Sequence, residues 1–138
     1  MIWHHPYTLE EIHFKRPCMP NYLDIEFIEL GADFLRGRMP VDDRTRQPYG
    51  LLHGGASVVL AETLGSTGAT LVVDQEKYRC VGQEINANHV RGITEGFVIG
   101  TARPHHIGRR SHVWEIRITD ERERLICISR LTVSVIDR

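Results

Sequence analysis

Gln47-Pro48-Tyr49-Gly50-Leu51-Leu52-His53-Gly54-Gly55 runs straight into Ala56-Ser57-Val58-Val59-Leu60-Ala61-Glu62-Thr63-Leu64-Gly65-Ser66. A glycine-rich loop empties into an apolar helix, and one carboxylate sits in the middle of that helix. On an ideal helix the neighbours of Glu62 three and four residues away are Val58, Val59, Gly65 and Ser66. Glu62 therefore lies among small and apolar side chains that offer a carboxylate few partners. Burying an unpartnered charge costs several kcal/mol, on the order of what a whole domain can spare. Two readings follow: Glu62 faces water from a half-exposed helix, or it sits in a dry groove, aimed at something.

The loop supplies a second half. Gly54 and Gly55 fall at the helix start, where the first backbone N–H groups lack intrahelical partners. Those donors and the positive end of the helix dipole stabilise charge developing on an oxygen. Glycine lets a substrate approach the backbone closely. A helix N-terminus facing a carbonyl, with a carboxylate two turns along, is a layout for acyl transfer.

Outward from this stretch, the helix is expected over residues 55–73, the only long one in the chain. Gly65 and Gly68 lie in its interior, each costing about 1 kcal/mol relative to alanine, which points to close packing against a sheet, a helix or a ligand. Upstream, Thr8-Leu9-Glu10-Glu11 is a capping box opening a short helix over 9–15, ended by Pro17 and Pro20. Residues 23–30 alternate apolar and acidic with one slip at Phe27-Ile28, and 34–41 return as the second strand of a hairpin. Downstream, strands are expected over 79–88, 96–106, 111–119 and 124–136. A hairpin, one long helix and four consecutive antiparallel strands make an α+β fold, a meander sheet around a central helix.

The chain is 138 residues long, 41% hydrophobic and 25% charged, which fits one globular domain spanning 1–138. A net charge of −1 gives no electrostatic reason to expect a nucleic-acid or membrane partner. The longest apolar-rich run, residues 51–73, is broken by His53, Glu62 and several glycines and is not a bilayer span. Met1-Ile2-Trp3-His4-His5-Pro6 shows no basic region followed by an apolar stretch, so a cytoplasmic location is expected. Cys18, Cys80 and Cys127 are widely spaced and read as reduced, mostly buried thiols.

Other chemistry is less well supported. Eight histidines include His4-His5 at the terminus and His105-His106 on a strand, where adjacent rings point to opposite faces, so no metal is expected. No G-x-S-x-G elbow supports a serine triad. His89-Val90-Arg91 closes one strand, and His106-Ile107-Gly108-Arg109-Arg110 turns between two others. If the last strands are neighbours, Arg91, Arg109 and Arg110 gather near one edge, either as a phosphate site or as a solvated rim.

The segment from Gln47 to Ser66 resembles the signature of hotdog-fold acyl-CoA thioesterases. The closest likeness is to the bacterial branch that hydrolyses 1,4-dihydroxy-2-naphthoyl-CoA in menaquinone synthesis and to its enterobactin-associated proofreading relative. Met1-Ile2-Trp3, Met39-Pro40-Val41-Asp42, Glu84-Ile85-Asn86-Ala87-Asn88-His89 and Ser129-Arg130-Leu131-Thr132 look like that branch as well. The resemblance implies a long helix wrapped by an antiparallel sheet, two chains pairing their sheets edge to edge, and sites at the dimer interface, with dimers assembling into a homotetramer. It implies Glu62 as the catalytic carboxylate from one subunit, with Gln47, His53 and the Gly54 N–H of the other orienting and polarising the thioester carbonyl. Ser66 would help hold the acyl group or the attacking water. Gly82, the segment His89, Val90, Arg91 and Gly92, and the segment His106, Ile107, Gly108, Arg109, Arg110 and Ser111 match regions that bind the CoA nucleotide and pantetheine. No cofactor is implied, CoA being part of the substrate. A hotdog dehydratase, a non-catalytic acyl-CoA sensor, a generic promiscuous esterase and a thioesterase acting on carrier-protein thioesters are the alternatives.

Overall fold

Thr8 opens the first helix, α1 (Leu9–Ile12). Its hydroxyl accepts from the Glu11 N–H at 3.3 Å, and the Glu11 carboxylate accepts from the Thr8 N–H at 2.6 Å. The computed structural model describes all residues, 1–138. α1 stops short of the expected residue 15 because His13 folds back, its backbone N–H at 3.3 Å and its ring Nδ1 at 2.7 Å from the Leu9 carbonyl. A second single turn, α2 (Met19–Tyr22), forms where the prolines were read only as breakers. Pro20 falls in its first turn, where a missing N–H costs nothing.

β1 (Glu26–Leu30) and β2 (Leu35–Pro40) form the expected hairpin. β1 starts three residues later than expected because Asp24 turns the chain with a left-handed φ of 54°. The slip at Phe27-Ile28 is a β-bulge between Phe27 and Glu29. The long helix is α3 (Gly54–Val72), followed by β3 (Tyr78–His89), β4 (Phe97–Ile107), β5 (Ser111–Thr119) and β6 (Leu125–Asp137). Apart from the end of α1 and the start of β1, each three residues off, every expected element lies within one residue of its expected ends.

The strand order corrects the expected four-strand meander. The six strands run β1-β2-β4-β5-β6-β3, antiparallel throughout, so only β4, β5 and β6 are a meander. β3 lies at the far edge against β6, and residues 90–96 carry the chain back across the sheet to β4, beside β2. That segment is held along its path: Val90 donates to Ile126, Ile93 accepts from Leu52, and Gly96 accepts from Val41.

α3 lies on one face of this sheet. Its Leu60, Leu64 and Ala69 pack with Leu35, Met39, Val98, Trp114, Ile116 and Leu131, all at 0% exposure. The interior glycines mark the closest approach. A Cβ on Gly68 would stand 2.9 Å from the Trp114 ring, and one on Gly65 would stand 2.7 Å from Leu131 Cδ2. The sheet reciprocates with Gly37 and Gly100, which face Leu64. Of the three free thiols, Cys127 is buried and Cys18 and Cys80 are half-buried; burial pushes the Cys80 thiol up to about 11. One helix on a six-stranded antiparallel sheet is the α+β arrangement the resemblance implies.

Candidate active site

The loop before α3 is pinned before the helix begins. Thr45, 1% exposed, gives its hydroxyl to Pro40 O and accepts from the Asp42 N–H, each at 3.0 Å. Its carbonyl then accepts from the His53 N–H at 2.7 Å. His53 is the N-cap of α3: in extended conformation, its ring Nδ1 accepts from the Gly55 N–H at 2.8 Å. The ring accepts through Nδ1, so the proton of the neutral form is on Nε2. Of the two glycine donors expected to be free, Gly55 is thus occupied, and Gly54 keeps an N–H with no acceptor in the chain.

Around that N–H lies a pocket of about 400 Å³ lined by Gln47, Gly54, Ser57, His89, Arg91 and Gly92, among others, with Val90 also on its wall. The Gln47 side-chain oxygen accepts from the Tyr49 N–H, which leaves its NH₂ group without a partner in the chain. His89 stands directly over Gly54; a Cβ there would come within 2.8 Å of its Nε2. A side chain at residue 54 would push that exposed ring aside.

Glu62 opens into a different and larger space, a groove of about 850 Å³ between α3 and the N-terminal segment. It is half-buried and makes no hydrogen bond or ion pair within the chain. Ser66 shares the groove. Gly82 lies beneath it: a Cβ on Gly82 would sit 3.3 Å from both the carboxyl carbon and Oε2 of Glu62. The groove is less dry than the helix pattern implied, because Thr63, Ser66, Thr67 and Thr70 line it on the same side of α3. Those threonines, along with Ser57 and the N-terminal His5 and Tyr7, were missed in the sequence. The only signal was a 63, 66, 67, 70 polar spacing within an otherwise apolar helix.

Within one chain the two halves stay apart. Gly54 and Glu62 are eight residues apart on α3, about 12 Å along its axis. The other expected site residues divide in the same way. Gly82 pairs with Val133 while His89 pairs with Cys127, six positions away on β6 and about 20 Å along the strand. The turn holding Gly108, Arg109 and Arg110 lies at the Gly82 end, since Ser111 pairs with Ser134 and the Arg110 carbonyl accepts from Val135. His106 and Ile107 end β4 on the same side, opposite Val113 and His112. The expected gathering of Arg91 with Arg109 and Arg110 therefore does not occur within a chain. Arg91 is bonded to Ile126, on the order of 30 Å along β6 from the Arg110 contact at Val135. It failed because Arg91 precedes β4 and Arg109 and Arg110 follow it, and the two ends of one strand lie at opposite ends of the sheet whatever the strand order. Arg110 is also paired with Asp137 at 3.0 Å, while Arg109 is exposed and makes no ion pair. No three His, Cys, Asp or Glu side chains come together as a metal set, and no helix is long and apolar enough to cross a membrane.

Comparison with known proteins places this geometry. The Thioesterase superfamily pattern matches residues 49–127, from the loop before α3 to the start of β6. The chain is 51% identical to the 1,4-dihydroxy-2-naphthoyl-CoA hydrolase of Escherichia coli, over 99% of this chain and 100% of that protein. It is 47% identical to the proofreading thioesterase EntH of Cronobacter turicensis, over 98% of each. The crystal structure of a mutant thioesterase from Pseudomonas aeruginosa superimposes with a TM-score of 0.98 at 45% identity, covering 100% of both chains. Membership sets aside the dehydratase and sensor alternatives. The chain belongs to the Thioesterase superfamily and is a thioester hydrolase of the acyl-CoA thioesterase family.

Proposed function

We propose that this chain, a single domain over 1–138, hydrolyses aryl-CoA thioesters in the cytoplasm, 1,4-dihydroxy-2-naphthoyl-CoA of menaquinone synthesis being the first candidate. The observation that carries the proposal is the division of the site. Glu62 with Ser66 and Gly54 with Gln47 open into separate pockets about 12 Å apart along one helix, too far to act on one carbonyl. A second copy closes the gap if it brings its own Gly54 to this Glu62. β3 is a 12-residue strand at the sheet edge, and its outer side is unpaired. Two such edges joining give a homodimer with a continuous sheet, and dimers pair into a homotetramer.

In the assembled site the thioester oxygen takes the free Gly54 N–H at the positive end of α3, and the Gln47 NH₂ orients the group. His53 holds the helix start that aims Gly54. Gly82 and the turn from His106 to Ser111 of one copy, with His89 to Gly92 of the other, hold the pantetheine and nucleotide of CoA. As attack begins, charge moves onto the carbonyl oxygen, where one such donor contributes about 10²–10³ in rate. Glu62 either attacks the carbonyl carbon, giving an anhydride that water opens, or takes the proton of an attacking water. Either way the C–S bond breaks, the thiolate of CoA leaves and is protonated, and water supplies the new acid oxygen. The 47% identity to a proofreading thioesterase supports a second reading, the same chemistry on aryl groups borne by a carrier protein.

The test is thiol release from benzoyl-, 1,4-dihydroxy-2-naphthoyl- and hexanoyl-CoA and from a benzoyl-loaded carrier protein. Wild type is expected to prefer an aryl-CoA, and Glu62→Gln to lose about 10³-fold in turnover with folding and CoA affinity nearly intact. Glu62→Gln retaining full turnover would remove the carboxylate from the mechanism.

A further inference from the structure

Ser57 lies in the first turn of α3 and lines the pocket around the Gly54 N–H, yet it is only 1% exposed. A serine inside a helix ordinarily gives its hydroxyl to a carbonyl one turn back. Here that carbonyl belongs to His53 and is already taken. It accepts from the Ala56 N–H at 3.0 Å and from the Ser57 N–H at 3.2 Å. The Ser57 hydroxyl makes no hydrogen bond within the chain. Nor is it sealed away, since Arg36 Nε is the only buried side-chain polar atom left both enclosed and unpartnered. The accessible remnant of Ser57 is therefore its hydroxyl, open to the pocket.

The surroundings set what this hydroxyl can bind. Leu51, Leu52, Val90 and Ile126 give the pocket an apolar side, where a lone hydroxyl selects one hydrogen-bonding group within an otherwise apolar stretch of ligand. Ser57 is three residues from Gly54, on the same face of the helix and about 5–6 Å away. A thioester carried on a pantetheine arm has that spacing built in. Two methylenes separate its sulfur from an amide, and the extended reach from the thioester carbonyl carbon to the amide nitrogen is about 5 Å.

We propose that Ser57 is a substrate-binding residue: its hydroxyl accepts from the first amide N–H of the pantetheine arm and so holds the thioester carbonyl in register with the Gly54 N–H. The inference rests on the reading that the Gly54 N–H takes the thioester oxygen. CoA and the arm of a carrier protein share this amide, so the contact serves a thioester on either. It recognises the leaving group and is indifferent to the acyl group. A substrate with CH₂ in place of that N–H leaves the hydroxyl unpaired, and a buried polar group left unpaired discriminates against such a substrate.

The experiment uses two small thioesters: S-benzoyl-N-acetylcysteamine, which ends in this amide, and the analogue with CH₂ replacing the N–H, which keeps the neighbouring carbonyl. Each is assayed for kcat/KM by thiol release and titrated as a competitor of benzoyl-CoA, so the preference is read even where turnover is slow. Wild type is expected to favour the amide by about tenfold in both measurements. Ser57→Ala is expected to bring that ratio within about twofold of unity. Alanine is the better helix former, so the variant keeps its fold, which thermal unfolding checks. A ratio near unity in wild type, or a tenfold ratio that survives Ser57→Ala, overturns the contact. Failure of wild type to release thiol from benzoyl-CoA, by contrast, overturns the hydrolysis proposed above.

Discussion

Gly82→Ala separates the catalytic placement of Glu62 from the stability of the sheet. The added methyl would stand 3.3 Å from the Glu62 carboxyl carbon and Oε2 and 3.4 Å from Oε1. Relaxed contacts of this kind lie at about 3.5–4.0 Å, so the carboxylate must withdraw by a few tenths of an ångström. A misplacement of about 1 Å can cost 10²-fold in rate, which puts the expected fall in kcat near tenfold. Folding should barely register the change. Gly82 lies within β3 and has no left-handed φ, so alanine gains about 0.5–1 kcal/mol of backbone entropy against the new contact. The net shift is expected to stay within about 4 °C in Tm. The assay is thiol release at saturating acyl-CoA, paired with thermal unfolding of the same preparations. A kcat within about twofold of wild type, with Tm unchanged, would refute the claim that Gly82 sets the position of the carboxylate.

His53→Ala removes the acceptor of the Gly55 N–H and is expected to cost about 1 kcal/mol, some 3–4 °C in Tm, which His53→Asn largely restores. Equal Tm in all three proteins by scanning calorimetry would show that the ring does not cap α3. Asp120 gives a pH signature. Burial by itself pushes its carboxyl up, but the N–H groups of Arg122 and Arg124 and the Arg124 guanidinium outweigh it and hold the group below the usual carboxylate range. A depressed folded value contributes stability that is present above the unfolded value near 3.9 and is lost as pH falls through the folded one. Denaturant titrations between about pH 5 and pH 2 should therefore fall more steeply for wild type than for Asp120→Asn; parallel curves would contradict the assignment.

What could be read in the sequence was local. The capping box at Thr8, the slip in alternation at Phe27-Ile28 and the close packing at Gly65 and Gly68 each depend on local residues, and each has its counterpart in the structure, the slip as a bulge. Glu62 and Gly54 could be singled out for the same reason. Strand order is a different matter. Pairing β3 with β6 depends on how residues 90–96 bond to Leu52, Ile126 and Val41, and no periodicity in β3 reports it. Any view of Gly82 beneath Glu62, twenty residues away in sequence, failed with it, whereas the arginine grouping failed because Arg91 and Arg109 flank the two ends of β4. The capping role of His53 and the place of Tyr7 were invisible for a further reason: the first takes a position normally held by Ser, Thr, Asp or Asn, and the second becomes a wall only once the N-terminus folds over α3.

That wall has a consequence for how such proteins diverge. The glycine contacts leave no room for a substrate between α3 and the sheet, so the acyl group is bounded by a strap tied down at few points: Trp3 Nε1 to Gly31 O at 2.6 Å, the His4 N–H to Leu71 O at 2.8 Å, and Trp3 stacked on Trp114. The strap lies in residues 1–48, outside the segment that carries the superfamily pattern. One wall of the groove is thus written outside the stretch that carries Glu62 and Gly54, while α3 supplies the other wall. Substitutions in residues 1–7 can be selected for new acyl groups without disturbing the helix start or the carboxylate, and a broad range of substrates can arise on one unchanged catalytic frame.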